Sequence, residues 1–79
     1  MMHYITKAKY IKDYKIEITF EDNKTGIVDL EKIILNDTRP IFQELKDKNK
    51  FSQIKVAMDT ITWKNGLDLA PEFLYKMLL

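Results

Sequence analysis

The apolar pattern predicts an α+β fold: a small two-layer domain with a mainly antiparallel sheet of four to five strands and two short helices on one face. Three observations lead there. Tyr14-Lys15-Ile16-Glu17-Ile18-Thr19-Phe20 alternates apolar and polar residues with the period of a strand. Asp22-Asn23-Lys24-Thr25-Gly26 and Asn65-Gly66 are turn chemistry between neighbouring runs, so sequential strands pair at short range. Ile41, Phe42 and Leu45, and later Phe73, Leu74, Met77 and Leu78, fall at helical spacing.

Taken in order, Tyr4 to Tyr10 mixes β-formers with lysine, and Lys12-Asp13 separates it from the strand that starts at Tyr14. Gly26 accepts positive φ at no cost, and Ile27-Val28-Asp29-Leu30 returns as the next strand. Leu30–Leu35 predicts a single helical turn. Asn36-Asp37-Thr38 supplies capping oxygens for a second helix with Pro40 in its first turn, ending near Asp47-Lys48-Asn49. Ile54, Val56 and Met58 alternate on another strand, Asp59-Thr60 reverses it, and Ile61 and Trp63 lie on the strand after that. Pro71 and Glu72 open the last helix, with Asp68 as its cap. The predicted core is Ile16, Ile18, Phe20, Val28, Leu30, Ile41, Phe42, Leu45, Phe51, Ile54, Val56, Met58, Ile61, Trp63, Leu69, Phe73 and Leu74.

Composition narrows the function classes. A chain of 79 residues has room for one domain, and it contains no cysteine to staple it or to hold a metal through thiolate. That suits a reducing compartment. No run approaches the ~20 apolar residues of a membrane span, and no signal-peptide core follows Met1, so a cytoplasmic, non-membrane protein is expected. Thirteen basic residues against twelve acidic ones leave a formal charge of +1, too little to draw the chain to nucleic acid or anionic lipid as a whole. Arg39 is the sole arginine, so the planar fork that reads phosphate and guanine is nearly missing.

Chemistry is sparsely provided. Ser52 is the only serine and His3 the only histidine, and a lone histidine builds no metal cluster. Asp22, Asp29, Asp59, Asp68 and Glu72 are candidate acids, each with a turn or cap to explain it. Gly26 and Gly66 stand too far apart for a phosphate loop. No cofactor is expected. Lys7, Lys9 and Lys12 beside Tyr10 are the best nucleic-acid candidates, yet a lysine-lined edge strand also blocks aggregation, and Asp13 and Glu17 bring opposite charge close by.

Trp63-Lys64-Asn65-Gly66-Leu67-Asp68-Leu69-Ala70-Pro71-Glu72 is the most distinctive segment. It reads as fold specification or as a recognition surface made by Trp63, Asn65, Asp68, Glu72 and Tyr75, with Trp63 partly exposed as its anchor. With Ile61-Thr62 before it, Phe73-Leu74-Tyr75 after it, and Phe20, Gly26, Val28-Asp29-Leu30, Phe42, Leu45-Lys46-Asp47 and Phe51, it resembles the bacterial domain-of-unknown-function family numbered 2442. One departure is Asn23-Lys24, where the family usually has glycine after the aspartate. The resemblance implies an α+β fold without an assigned activity. It also implies a place in paired operons similar to toxin–antitoxin modules, with this chain as the non-catalytic, antitoxin-like member. The expectation is therefore a non-enzymatic protein-interaction module with a protein partner, a homodimer among its forms; a nucleic-acid-binding accessory domain is the alternative, and an enzyme the remote one.

Overall fold

A computed structural model describes residues 3–78. Strands β1 (Ile5–Lys12), β2 (Lys15–Phe20) and β3 (Thr25–Asp29) form one antiparallel sheet in that order. Helices α1 (Glu31–Asn36), α2 (Pro40–Gln43) and α3 (Lys48–Phe51) follow, with a 3-10 turn at Glu44–Lys46. A second antiparallel sheet contains β4 (Lys55–Ala57), β5 (Thr60–Thr62) and β6 (Asp68–Leu69), and α4 (Pro71–Met77) closes the chain.

The α+β class stands, and the arrangement differs from the expected single sheet of four to five strands with two helices. Among the described residues the strands divide into two three-stranded sheets and there are four α-helices. β1 is irregular in its pairing with β2 between Ile5 and Lys7 and again between Tyr10 and Lys12. The two sheets touch where the Ile5 N–H donates to the Asp59 carbonyl at 2.9 Å.

Two hairpins are tighter than the sequence suggested. Lys12 pairs with Lys15, so Asp13 and Tyr14 form the turn, with φ of 49° and 66°. Ala57 pairs with Thr60, so Met58 and Asp59 do the same with φ of 53° and 67°. Positive φ at both central residues matches the right-handed twist of the flanking strands. Tyr14 is therefore a buried turn residue and not the first residue of β2, and its hydroxyl donates to the Lys46 carbonyl.

The core gathers on one face of the first sheet, where Ile16, Ile18, Phe20 and Val28 point inward. Phe51, at the end of α3, is its hub. Its ring lies 5.7 Å from Tyr10, 5.2 Å from Tyr14 and 5.4 Å from Trp63, so one aromatic joins both sheets. Asp47 accepts from the Asn49 and Lys50 N–H groups, and in this way starts α3 where the sequence suggested a helix end. Gly26 makes room for α4: a Cβ there would come within 2.8 Å of Leu78 Cδ2. Of the expected core, Val56, Met58 and Phe73 lie on the surface and Ile41, Ile54 and Leu69 are only half-buried. Ile5, Tyr14, Ile34 and Leu67 take up the space within. Among the described residues no helix is long and apolar enough to cross a membrane.

Candidate interaction surface

The five residues singled out from the sequence part company. Trp63 is 2% exposed, and its indole N–H donates to the Phe51 carbonyl at 2.9 Å. The expected exposed anchor is thus a buried strut, as a large ring with one polar atom tends to be when an acceptor is in reach. Asn65 donates to the Ile41 carbonyl at 3.0 Å and accepts from the Leu67 N–H at 3.1 Å, bracing its loop against α2. Gly66 turns that loop at φ 93°. Trp63 and Asn65 still line a groove of about 290 Å³ with Glu44, Lys50 and Gln53. Asp68 is exposed on β6, while the cap position of α4 falls to Ala70, which makes no side-chain bond there. Glu72 lies in the first turn of α4.

Tyr75 belongs to another cluster. Its ring stacks on His3 at 3.7 Å and 8°, meets Phe20 edge-on at 4.9 Å, and lies 5.0 Å beneath the Lys24 ammonium. Its hydroxyl donates to Asp22 Oδ2 at 3.1 Å. The Lys24 N–H, then the Tyr75 hydroxyl and the nearby His3, hold the Asp22 carboxyl below its usual range. His3 is held by this stack. No spacing rule joins residues 3, 20, 22 and 75, so only the folded chain reveals the cluster.

Asp29 and the serine have local partners. Asp29 accepts from the Glu31 N–H at 3.0 Å and lies 3.9 Å from Lys15. Ser52 donates to the Asn49 carbonyl at 2.7 Å. Among the described residues no three His, Asp or Glu side chains gather as a metal site. Lys7 and Lys9 share the outer face of the first sheet, beside a shallow groove of about 450 Å³, with Glu17 directly across from Lys9.

β3 leaves one edge of the first sheet open. The Leu30 N–H bonds to the Tyr14 carbonyl and the Phe20 N–H to the Lys24 carbonyl. Antiparallel ladders alternate, so Gly26 and Val28 also bond to β2, while Thr25, Ile27 and Asp29 turn their N–H and C=O groups outward. β3 is the last strand of its sheet. At its centre Ile27 is 53% exposed on the outer face. The sequence held a signal for this: Ile27 and Val28 are adjacent and apolar, and in a strand only one can face inward.

No curated protein and no solved structure matches the chain. The family model described as a protein of unknown function (DUF2442) matches residues 5–77, and the chain belongs to that family.

Proposed function

We propose that the chain is a non-enzymatic protein-interaction module that binds through strand addition at β3. The observation that carries this is the open edge of β3, where unpaired backbone groups surround the exposed Ile27. Such an edge is a template for another strand, with backbone bonds giving affinity and the outward side chains selecting the partner. The bacterial and antitoxin-like parts of the reading rest on the paired-operon arrangement that the family resemblance implies, an associational argument, and the cytoplasmic part on a composition without cysteine.

Nucleic acid binding has weaker support. Lys9 faces Glu17 and Lys15 lies by Asp29, so two of the cations of this sheet have acids close by. Capture from the source cell, using tagged chain with and without Ile27→Lys, tests the proposal. A partner held by the first bait and lost by the second is expected; equal capture by both baits overturns strand addition at β3.

A further inference from the structure

We infer that the strand added at β3 is β3 of a second copy, giving an antiparallel two-fold dimer with a continuous six-stranded sheet; this deepens the strand-addition reading and rests on it. The argument starts from the contrast between the two edges of the first sheet. β1 carries Lys7, Lys9 and Lys12, is irregular in two places, and is partly covered where Ile5 bonds to Asp59. Those are the devices by which natural edges avoid pairing. β3 has no bulge in its register with β2, and its central outward side chain is isoleucine. One edge is guarded and its counterpart is open.

The open edge is self-complementary. Antiparallel pairing about Ile27 places Ile27 opposite Ile27 of the second copy and Thr25 opposite Asp29. The residues that meet are those whose backbone groups already point outward, so every facing pair exchanges bonds in the antiparallel pattern. A shift of one residue would oppose outward groups to groups already bonded to β2. Side chains agree with this register. The two isoleucines cover each other on the outer face, where apolar cross-strand pairs stabilise a sheet.

The backbone sets the direction. Antiparallel pairing faces each outward N–H with the C=O of the residue opposite, whereas parallel pairing at the same level would set N–H against N–H. A two-fold contact of this kind buries the same patch on both copies and closes on itself.

Sedimentation of the full chain across concentration tests the inference. One short strand makes a small interface, so half-association is expected on the order of 100 μM. The mass should rise from 9.4 kDa toward twice that value. Ile27→Lys should abolish the rise with an unchanged circular dichroism spectrum, because the side chain is exposed in the single chain; Phe73→Lys on α4 should leave it intact. The chain has no cysteine, so a spin label at Glu17→Cys, across from Ile27 on β2 and outside the paired strands, reports one position. Its spectrum should broaden with concentration, and a label at Leu35→Cys on α1 should broaden far less.

A single-chain mass at about ten times the expected midpoint overturns the inference, as does association that Ile27→Lys leaves unchanged. If that monomer still captures a different protein through Ile27, self-pairing fails and strand addition stands. If it captures none, both fail.

Discussion

Met58 and Tyr14 have the same unusual backbone and opposite surroundings. Both sit in the left-handed region, but Met58 is 93% exposed at the β4–β5 tip and Tyr14 is buried against α3. The alternation of Ile54, Val56 and Met58 suggested a core methionine, because a pattern of period two does not mark where a strand stops. Met58→Asn should therefore raise stability by about 0.5–1 kcal/mol, since asparagine tolerates this conformation, where a true core methionine would lose roughly 2–5 kcal/mol on truncation. Urea unfolding separates these outcomes. Tyr14→Phe keeps the ring and removes the hydroxyl that donates to Lys46. It should cost about 1 kcal/mol in the same measurement.

The acids give a pH prediction at this scale. Asp13 is held below its ordinary value of 3.8 first by its bond to Lys48, Asp22 first by the Lys24 N–H, and Asp37 first by its bond to Arg39. A carboxyl whose folded pKa is depressed adds stability above its unfolded value and loses it as pH falls through the folded one. Melting temperature should thus be nearly flat from pH 7 to about 5 and fall below about pH 4. Asp22→Asn should lower the plateau and make the acid decline shallower, because it frees Tyr75 from its acceptor.

At the scale of elements, the sequence revealed strands more readily than their assembly. β2 and β3 lie close to the stretches marked by alternation and by Gly26, and Pro40 and Pro71 each open a helix as expected. What stayed hidden depends on distant partners. Asp47 starts a helix in place of ending one because two following N–H groups turn onto its carboxylate. Trp63 is a strut because α3 delivers the Phe51 carbonyl to its indole. Within the candidate site, the importance of the Trp63–Glu72 segment was legible and its role was not, since fold specification and recognition favour the same residues. Trp63→Ala removes a buried ring and leaves the Phe51 carbonyl without that donor, at a cost of about 3–5 kcal/mol. A domain of this size has only about 4–12 kcal/mol of stability, so partial unfolding at 37 °C is the expected outcome by circular dichroism.

For the molecule as a whole, the two sheets share one aromatic hub, and the surface differs sharply from edge to edge. The division into two sheets could not be read from local pattern, because which strands pair is settled between segments and leaves no turn residue in the sequence. The proposed strand addition rests on the same asymmetry. The interior is filled by apolar side chains, and β3 offers backbone groups that its own sheet leaves unused. Binding at that edge should respond little to salt, because backbone bonds and an isoleucine contact carry it; a steep salt dependence would instead indicate phosphate neutralisation.

Amide hydrogen exchange along β3, followed by NMR against concentration, tests this account most directly. In dilute solution the Gly26 and Val28 amides should exchange slowly while those of Ile27 and Asp29 exchange fast, and on concentration Ile27 and Asp29 should become protected. Protection of Ile27 at every concentration would mean that the edge is already covered within one chain. Fast exchange at every concentration would mean that no second strand joins it.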